Sequence, residues 1–361
     1  MKILIDARTL GSHPSGVGIY IYRYIKELVE TKHEVILVTD VATSDEMRHL
    51  RECGTQIICY GKIVYRSVQV LRYFSFVRNQ LMLLQPDIFW EPNNLIPSGL
   101  SGYHGKVMVT IHDIFPITHA KYFSPIYSMY FKVMLHRTSR IADIILFSSQ
   151  QTQGEARQLI PGLAQTTHHV LYPIVPRVEA NTQSTSKDYF LYVGNMEKRK
   201  GVDILLMGYD LYRQRGGTSP LILAGKKRED DVDAMIQNLV QKYPEVEYRG
   251  YVSDDERETL YKNCSLFAFP SCAEGFGMPL IEAMNYYKPI LASDLSVFHE
   301  IAGESINYFA IDGDITHQAE SLMQGLFDHA EKVDACAYDS VMSRYEAGVL
   351  GERLMEIVAN L

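Results

Sequence analysis

The sequence predicts an α/β protein made of two parallel-sheet domains of similar design. Three observations predict it. Short continuous Val/Ile/Leu runs alternate with helix-length segments along nearly the whole chain, the pattern of strands buried on both faces of a parallel sheet. The alternation breaks once, at 173–188 ("PIVPRVEANTQSTSKD"), where Pro, Ser, Thr and Asn replace large apolar residues, and then restarts. The length of 361 residues also fits two domains of ordinary size.

In the first half, strands are expected at 2–6, 34–39, 87–90, 106–113 and 143–149, with a helix over 17–30. In the second, strands are expected at 189–195, 220–225, 246–250, 265–270 and 289–293, with helices over 201–215 and 230–243. The expected domains are 1–175 and 176–342, with a last helix over 343–361 packing back on the first. Two such domains face a central cleft, and ligands of open α/β sheets bind beyond the carboxyl ends of the strands.

Composition narrows the function classes. Apolar residues are 47% and charged residues 22%, ordinary for a globular chain. No run approaches the roughly 18 apolar residues of a membrane span. The opening stretch reads as a strand carrying Asp6 and Arg8 rather than a secretory signal. Five cysteines without a C-x-x-C pair suit reduced thiols in a cytoplasmic protein and argue against structural zinc. The net charge of −8 is uneven: residues 1–178 hold 18 Lys+Arg and 13 Asp+Glu, residues 179–361 hold 17 and 30. A basic first half suits an anionic partner, either a phosphate-bearing substrate or an anionic lipid. No nucleic-acid-binding motif is present.

Four motifs fall at expected strand ends. In "SCAEGFGMPLIEAM" (271–284), Glu274 and Glu282 flank two glycines and Pro279. Proline suits a helix start, and the N–H groups of Leu280 and Ile281 would point out of that helix toward a phosphate or hydroxyl. Gly275 and Gly277 let the backbone approach a ligand. Two carboxylates cannot both grip a phosphate, but they can accept hydroxyls on either side of one, as a nucleotide sugar requires. Both glutamates also favour a helix N-terminus for its own sake, which is the alternative for Glu282 taken alone.

In "YVGNMEKRKGVDILL" (192–206), Arg199 and Lys200 precede a helix, where cations oppose the dipole unless an anion sits there. A solvated basic turn is the alternative. In "SHPSGVGIY" (12–20), Gly16 and Gly18 lead into a helix. The pattern is not G-x-G-x-x-G, because position 21 is Ile, so a dinucleotide site is not expected. "TIHDIFP" (110–116) places His112 and Asp113 at the end of a buried strand, where a satisfied core histidine is the alternative.

The stretch "EGFGMPLIE" resembles the E-x7-E motif of the retaining glycosyltransferases of family 4, which have the GT-B fold, and the resemblance covers nearly the full chain. It implies that Glu274 contacts the donor sugar, that Glu282 contacts the ribose, and that the backbone of Phe276, Gly277 and Met278 lines the sugar pocket. The segment 192–206 is similar to the family's diphosphate clamp, so Arg199 and Lys200 would neutralise the leaving nucleoside diphosphate. Many relatives carry arginine where Asn195 stands, which leaves Lys198 as a further candidate cation. The glycine-rich loop with Gly16 and Gly18 would approach the diphosphate or the acceptor. His112 matches the family histidine beside the reacting sugar, with Asp113 orienting it or its loop. "YRGYVS" resembles the segment that holds the nucleobase near Tyr251 and Val252, with Lys226 pointing to the same place.

The resemblance implies a front-face reaction in which the departing phosphate serves as base, with no metal and no other cofactor. The expected partners are a nucleotide sugar, mannose from GDP-mannose first, and a glycan acceptor linked to polyprenyl diphosphate in surface polysaccharide or lipopolysaccharide synthesis. Segments 60–84 and 119–142 mix apolar, aromatic and basic residues. They read either as core helices with snorkelling cations or as a peripheral contact with the inner face of a membrane. The rival functions are a nucleotide-sugar epimerase or hydrolase of the same shape, a non-catalytic binding module and, more remotely, a dehydrogenase.

Overall fold

The structure is a computed structural model that describes residues 1–64, 67–96, 99–178, 188–329 and 332–361. Residues 179–187 of the expected linker, and 65 and 66 of the segment 60–84, lie outside the described residues. The chain divides into two compact units, Met1–Ile174 with Tyr345–Leu361, and Val175–Arg344.

Among the described residues of the first unit, seven parallel strands form one sheet. They are β1 (Lys2–Asp6), β2 (Glu34–Thr39), β3 (Gln56–Cys59), β4 (Ile88–Glu91), β5 (Lys106–Ile111), β6 (Ile144–Phe147) and β7 (Thr167–Val170), in the order β3-β2-β1-β4-β5-β6-β7. Between them run α1 (Gly16–Val29), α2 (Asp45–Glu52), α3 (Ser67–Leu84), α4 (Phe115–Thr118), α5 (Pro125–Ile141) and α6 (Gln150–Leu159). Strand β4 is buried at all four positions, three of them apolar (Ile88, Phe89 and Trp90), as in a strand covered on both faces, and the fourth the carboxylate Glu91.

The second unit repeats the scheme with β8 (Phe190–Val193), β9 (Leu221–Ala224), β10 (Val246–Gly250), β11 (Leu266–Phe269), β12 (Ile290–Ser293) and β13 (Asn307–Phe309), ordered β10-β9-β8-β11-β12-β13. Its helices are α7 (Val202–Gln214), α8 (Asp230–Lys242), α9 (Asp254–Asn263), α10 (Met278–Asn285), α11 (Ser296–Ala302), α12 (Ile315–Asp328) and α13 (Ala335–Ser343). The chain closes with α14 (Ala347–Ala359), which packs on α1 in the first unit and buries Leu350, Leu354, Ile357 and Val358. Each sheet has a topological switch point, between β1 and β4 and between β8 and β11. Crevices that bind ligands open at such points.

The structure departs from the sequence reading in four places. Strands β3, β7 and β13 are additions, and all three lie at sheet edges. The helix expected over 343–361 is two helices, because α13 ends at Ser343 and α14 starts at Ala347. Gly16 and Gly18 lie inside the first turn of α1, not before it, with Ser15 as cap accepting the Gly18 N–H. Pro279 is the second residue of α10, behind a Gly277 cap, so Glu282 sits beyond the first turn.

Candidate functional site

The loops after β8 and β11 meet at the switch point of the second sheet. After β8 the chain makes a 3-10 turn, Lys198–Lys200, before α7. After β11 it runs through Ser271–Gly277 into α10. The backbone ties the two loops, since Cys272 N–H donates to the Arg199 carbonyl at 2.9 Å. Side chains complete the junction: Arg199 donates to Ala273 O at 3.0 Å and to Glu197 Oε1 at 2.7 Å.

Glu274 and Lys200 face each other there. Lys200 Nζ donates to Glu274 Oε1 at 2.5 Å, and Ser271 Oγ donates to the same oxygen at 2.8 Å. Burial alone would raise the Glu274 carboxyl. The charges of Lys200 and Arg199 and the two hydrogen bonds outweigh it, and the carboxyl lies below its ordinary value. Glu274 is therefore a buried carboxylate held ionised by two cations. Exchange of that Lys200 contact for a phosphate oxygen would leave the carboxylate free to accept a sugar hydroxyl.

The turn that aims Glu274 depends on Gly277. Its φ is +103°, and a Cβ there would come within 2.8 Å of Phe298 Cε1. Phe276 and Leu280 are buried and Met278 partly so. The Leu280 N–H is bonded to the Gly277 carbonyl at 3.0 Å, so it is not one of the outward-pointing donors that the sequence suggested.

Glu282 belongs to a second group. Its Oε2 accepts from Tyr261 O–H at 3.3 Å. Burial would lower the nearby Arg257 guanidinium, but the charges of Glu282 and Asp254 reverse this and raise it. Lys226 places Nζ 4.5 Å from the ring centroid of the exposed Tyr251, while Val252 is buried. The Asn195 carbonyl accepts from Tyr192 O–H at 2.9 Å. Lys198 pairs with Asp231 and is committed away from the Lys200–Glu274 junction.

In the first unit, His112 follows β5 and is buried. Its backbone N–H donates to Asn94 Oδ1 at 2.7 Å, and its Nε2 lies 2.8 Å from Pro92 O. A carbonyl only accepts, so Nε2 carries the proton. The Tyr20 ring meets the imidazole edge-on with centroids 4.8 Å apart. Burial lowers the imidazole to about 4, against a smaller raising effect of the Pro92 bond, so the ring is neutral near pH 7. Asp113 Oδ1 accepts the Phe115 N–H at 3.2 Å and so braces the turn. Gly16 is exposed at the start of α1, whereas Gly18 is buried, and a Cβ on it would lie 2.3 Å from Thr9 O. That glycine serves packing within the unit.

Sequence reasoning missed the residues that hold the named ones. Ser271, Glu197, Tyr261 and Arg257 are such supports. So is a group at the first switch point, where Asp6 Oδ1 accepts from Tyr73 O–H at 2.7 Å and from Arg8 N–H at 3.0 Å. The neighbouring Glu91 is fully buried, and burial, then the Asp6 charge, push its carboxyl well above the usual range. Polar residues ending buried strands were the available signal. Among the described residues, no three His, Cys, Asp or Glu side chains gather as a metal site.

Residues 177–339 match the family model described as glycosyl transferases group 1, and residues 14–176 match glycosyltransferase family 4. Across 93% of each chain the sequence is 28% identical to O-antigen chain mannosyltransferase B of Escherichia coli. Across 58% of each it is 25% identical to O-antigen chain mannosyltransferase RfbU of Salmonella typhimurium. The crystal structure of Anabaena HepE in complex with UDP and glucose aligns over 100% of both chains with a TM-score of 0.78 at 18% identity.

Proposed function

The chain is a family-4-type glycosyltransferase of GT-B fold, and from that premise we propose that it transfers a mannosyl group, with GDP-mannose as first donor, to a glycan hydroxyl with retention of configuration. The acceptor is proposed to be a polyprenyl-diphosphate-linked glycan at the inner face of a membrane, in surface polysaccharide synthesis. The names of the O-antigen mannosyltransferases that the chain resembles support the sugar and the setting.

The observation that carries the reading is the Lys200–Glu274 pair beside Arg199 at a sheet switch point. In the proposed reaction Lys200 and Arg199 take the negative charge that develops on the departing diphosphate. Such preorganised charge-assisted contacts are worth about 1.5–3 kcal/mol each. Glu274 then accepts a hydroxyl of the transferred sugar, and Glu282 accepts from the ribose. The backbone of Phe276–Met278 would line the sugar, and Lys226, Tyr251 and Val252 the base. Gly16 and Asn195 are assigned to the donor side by resemblance, whereas Gly18, with its N–H held by Ser15 Oγ, keeps only its packing role. His112, neutral and fixed through Nε2, is proposed to meet the reacting sugar without trading protons, with Asp113 bracing its turn. The departing phosphate is the base, and no metal takes part.

The test is product analysis with GDP-mannose, UDP-glucose, UDP-N-acetylglucosamine and dTDP-rhamnose, with a lipid-linked glycan present and a chelator added. Transfer of α-linked mannose in chelator is expected, with Lys200→Ala lowering turnover by roughly 10²-fold. Release of free sugar without transfer would favour a hydrolase, and near-normal turnover in Lys200→Ala would remove the assignment.

A further inference from the structure

Asp6 ends β1 and Glu91 ends β4, and the two strands run parallel with Ile5 opposite Trp90. One step further along, Asp6 and Glu91 stand opposite each other on one face of the sheet, the face where Tyr73 of α3 meets Asp6. Both are buried. Like charges at directly opposed positions repel, and two carboxyl groups sharing a buried site do not both ionise. Asp6 Oδ1 accepts from Tyr73 O–H and from the Arg8 N–H, and Glu91 Oε1 accepts the Asn93 N–H at 3.1 Å. Asp6 Oδ2 and Glu91 Oε2 are buried with no donor among the described residues. One proton between the two oxygens satisfies both at once. Burial, the Asp6 charge and a hydrogen bond to Asp6 all favour Glu91 as its holder. The other titratable and charged groups facing the pair are Arg8, Tyr73 and Asp40.

Arg8 follows β1 at the same switch point. Its guanidinium lies 5.1 Å from the ring centroids of both Tyr73 and Phe74. Among the described residues it makes no side-chain hydrogen bond and no ion pair. A half-buried guanidinium that offers only donors calls for an acceptor, and this one stands where ligands of open α/β sheets bind. Charge decides the kind of acceptor. With one proton on the acid pair, the remaining carboxylate balances Arg8, and Asp40 adds a further negative charge nearby. An anion gains nothing in that field. The oxygens of a neutral polyol accept from the guanidinium without repulsion.

We propose that Arg8 contacts the acceptor sugar by donating to its hydroxyl oxygens, and that Asp6 and Glu91, sharing one proton, are the positioning pair that holds Arg8 in place. Asp6 fixes the Arg8 backbone through its N–H, and the single charge left on the pair keeps the guanidinium over the two rings. The inference rests on the reading of the chain as a transferase to a glycan hydroxyl, and it deepens the acceptor side of that reading.

The test joins initial-rate kinetics, with GDP-mannose and a glycan acceptor, to thermal melts at about pH 5 and about pH 8. Arg8→Ala should raise the acceptor KM roughly tenfold and leave the donor KM within about twofold, and Arg8→Lys should recover part of the loss. In Glu91→Gln the amide N–H donates to Asp6 as the carboxylic acid does, and the amide oxygen still accepts the Asn93 N–H. Its acceptor KM should therefore stay within about twofold of the parent's, whereas Glu91→Leu, which leaves Asp6 Oδ2 unpaired, should raise it. The melts read the proton itself. The folded Glu91 carboxyl lies above its ordinary 4.5, so its stabilising contribution is full below about pH 4.5 and is lost as pH rises. Glu91→Gln should thus gain on the parent in melting temperature between the two pH values. The proposal is overturned if Arg8→Ala keeps the parent's acceptor KM, if both KM values rise alike, or if Glu91→Gln fails to gain on the parent as pH rises. A parent that transfers to no glycan would sink the reading of the function, and the acceptor contact with it, while the melts would still decide whether the acid pair holds a proton.

Discussion

At the scale of single residues, His112 shows how burial decides chemistry. Its imidazole lies at about 4 rather than the ordinary 6.5, so the unfolded chain takes up the proton first as pH falls. Its contribution is full above about pH 6.5 and is lost as pH drops toward 4. Between pH 7.5 and pH 5 this one group should cost the first unit about 2 kcal/mol. Denaturant unfolding of the parent and of His112→Asn at both pH values checks this: the substitution should remove that part of the pH dependence, and identical slopes would contradict the burial argument. Residues with a chemical signature were legible in the sequence. Glu274, Lys200, Arg199 and His112 stand out by type and place, and the structure joins the first three at one junction. Their supports were not legible. Ser271 and Glu197 are ordinary residues whose importance comes from a loop-to-loop contact, and no local pattern encodes that.

At the scale of elements, burial on both faces separates what could be read from what could not. Strands β6, β8, β9 and β11 are continuous apolar runs, and β1, β4 and β12 hold apolar cores of three residues, because helices or neighbouring strands surround them. Strands β3, β7 and β13 lie at edges and are only partly buried, so "QIIC", "THHV" and "NYF" carry no such run. The start of α10 shows the same limit. Proline announced the helix, but the cap is Gly277 in a left-handed conformation against Phe298 and Phe269. Gly277→Ala should therefore destabilise the second unit by about 1–3 kcal/mol and loosen the turn that carries Glu274. A thermal or denaturant melt measures it, and a parent-like melt would show that the turn relaxes without strain.

At the scale of the whole molecule, two sheets of like strand order each collect ionisable groups at the switch point, Asp6 and Glu91 in one, Lys200 and Glu274 in the other. The last helix returns to the first unit, where α14 buries Leu350, Leu354, Ile357 and Val358. Four aliphatic side chains at about 1.5–3 kcal/mol each rival the stability of an ordinary domain. A chain ending at Glu346 should lose the first unit's cooperative melt while the second unit's persists. Two unchanged transitions would show that α14 contributes little.

The central claim is that Lys200 and its neighbours hold a nucleoside diphosphate, and ligand-induced stabilisation tests it most directly. Thermal melts of the parent and of Lys200→Ala would be compared with GDP, UDP, dTDP and ADP. A ligand at 100 times its dissociation constant adds about 2.7 kcal/mol to the folded state. The account predicts that one nucleotide, GDP first, raises the parent's melting temperature and leaves Lys200→Ala nearly unmoved. Equal shifts in both proteins, or no shift with any of the four, would contradict it.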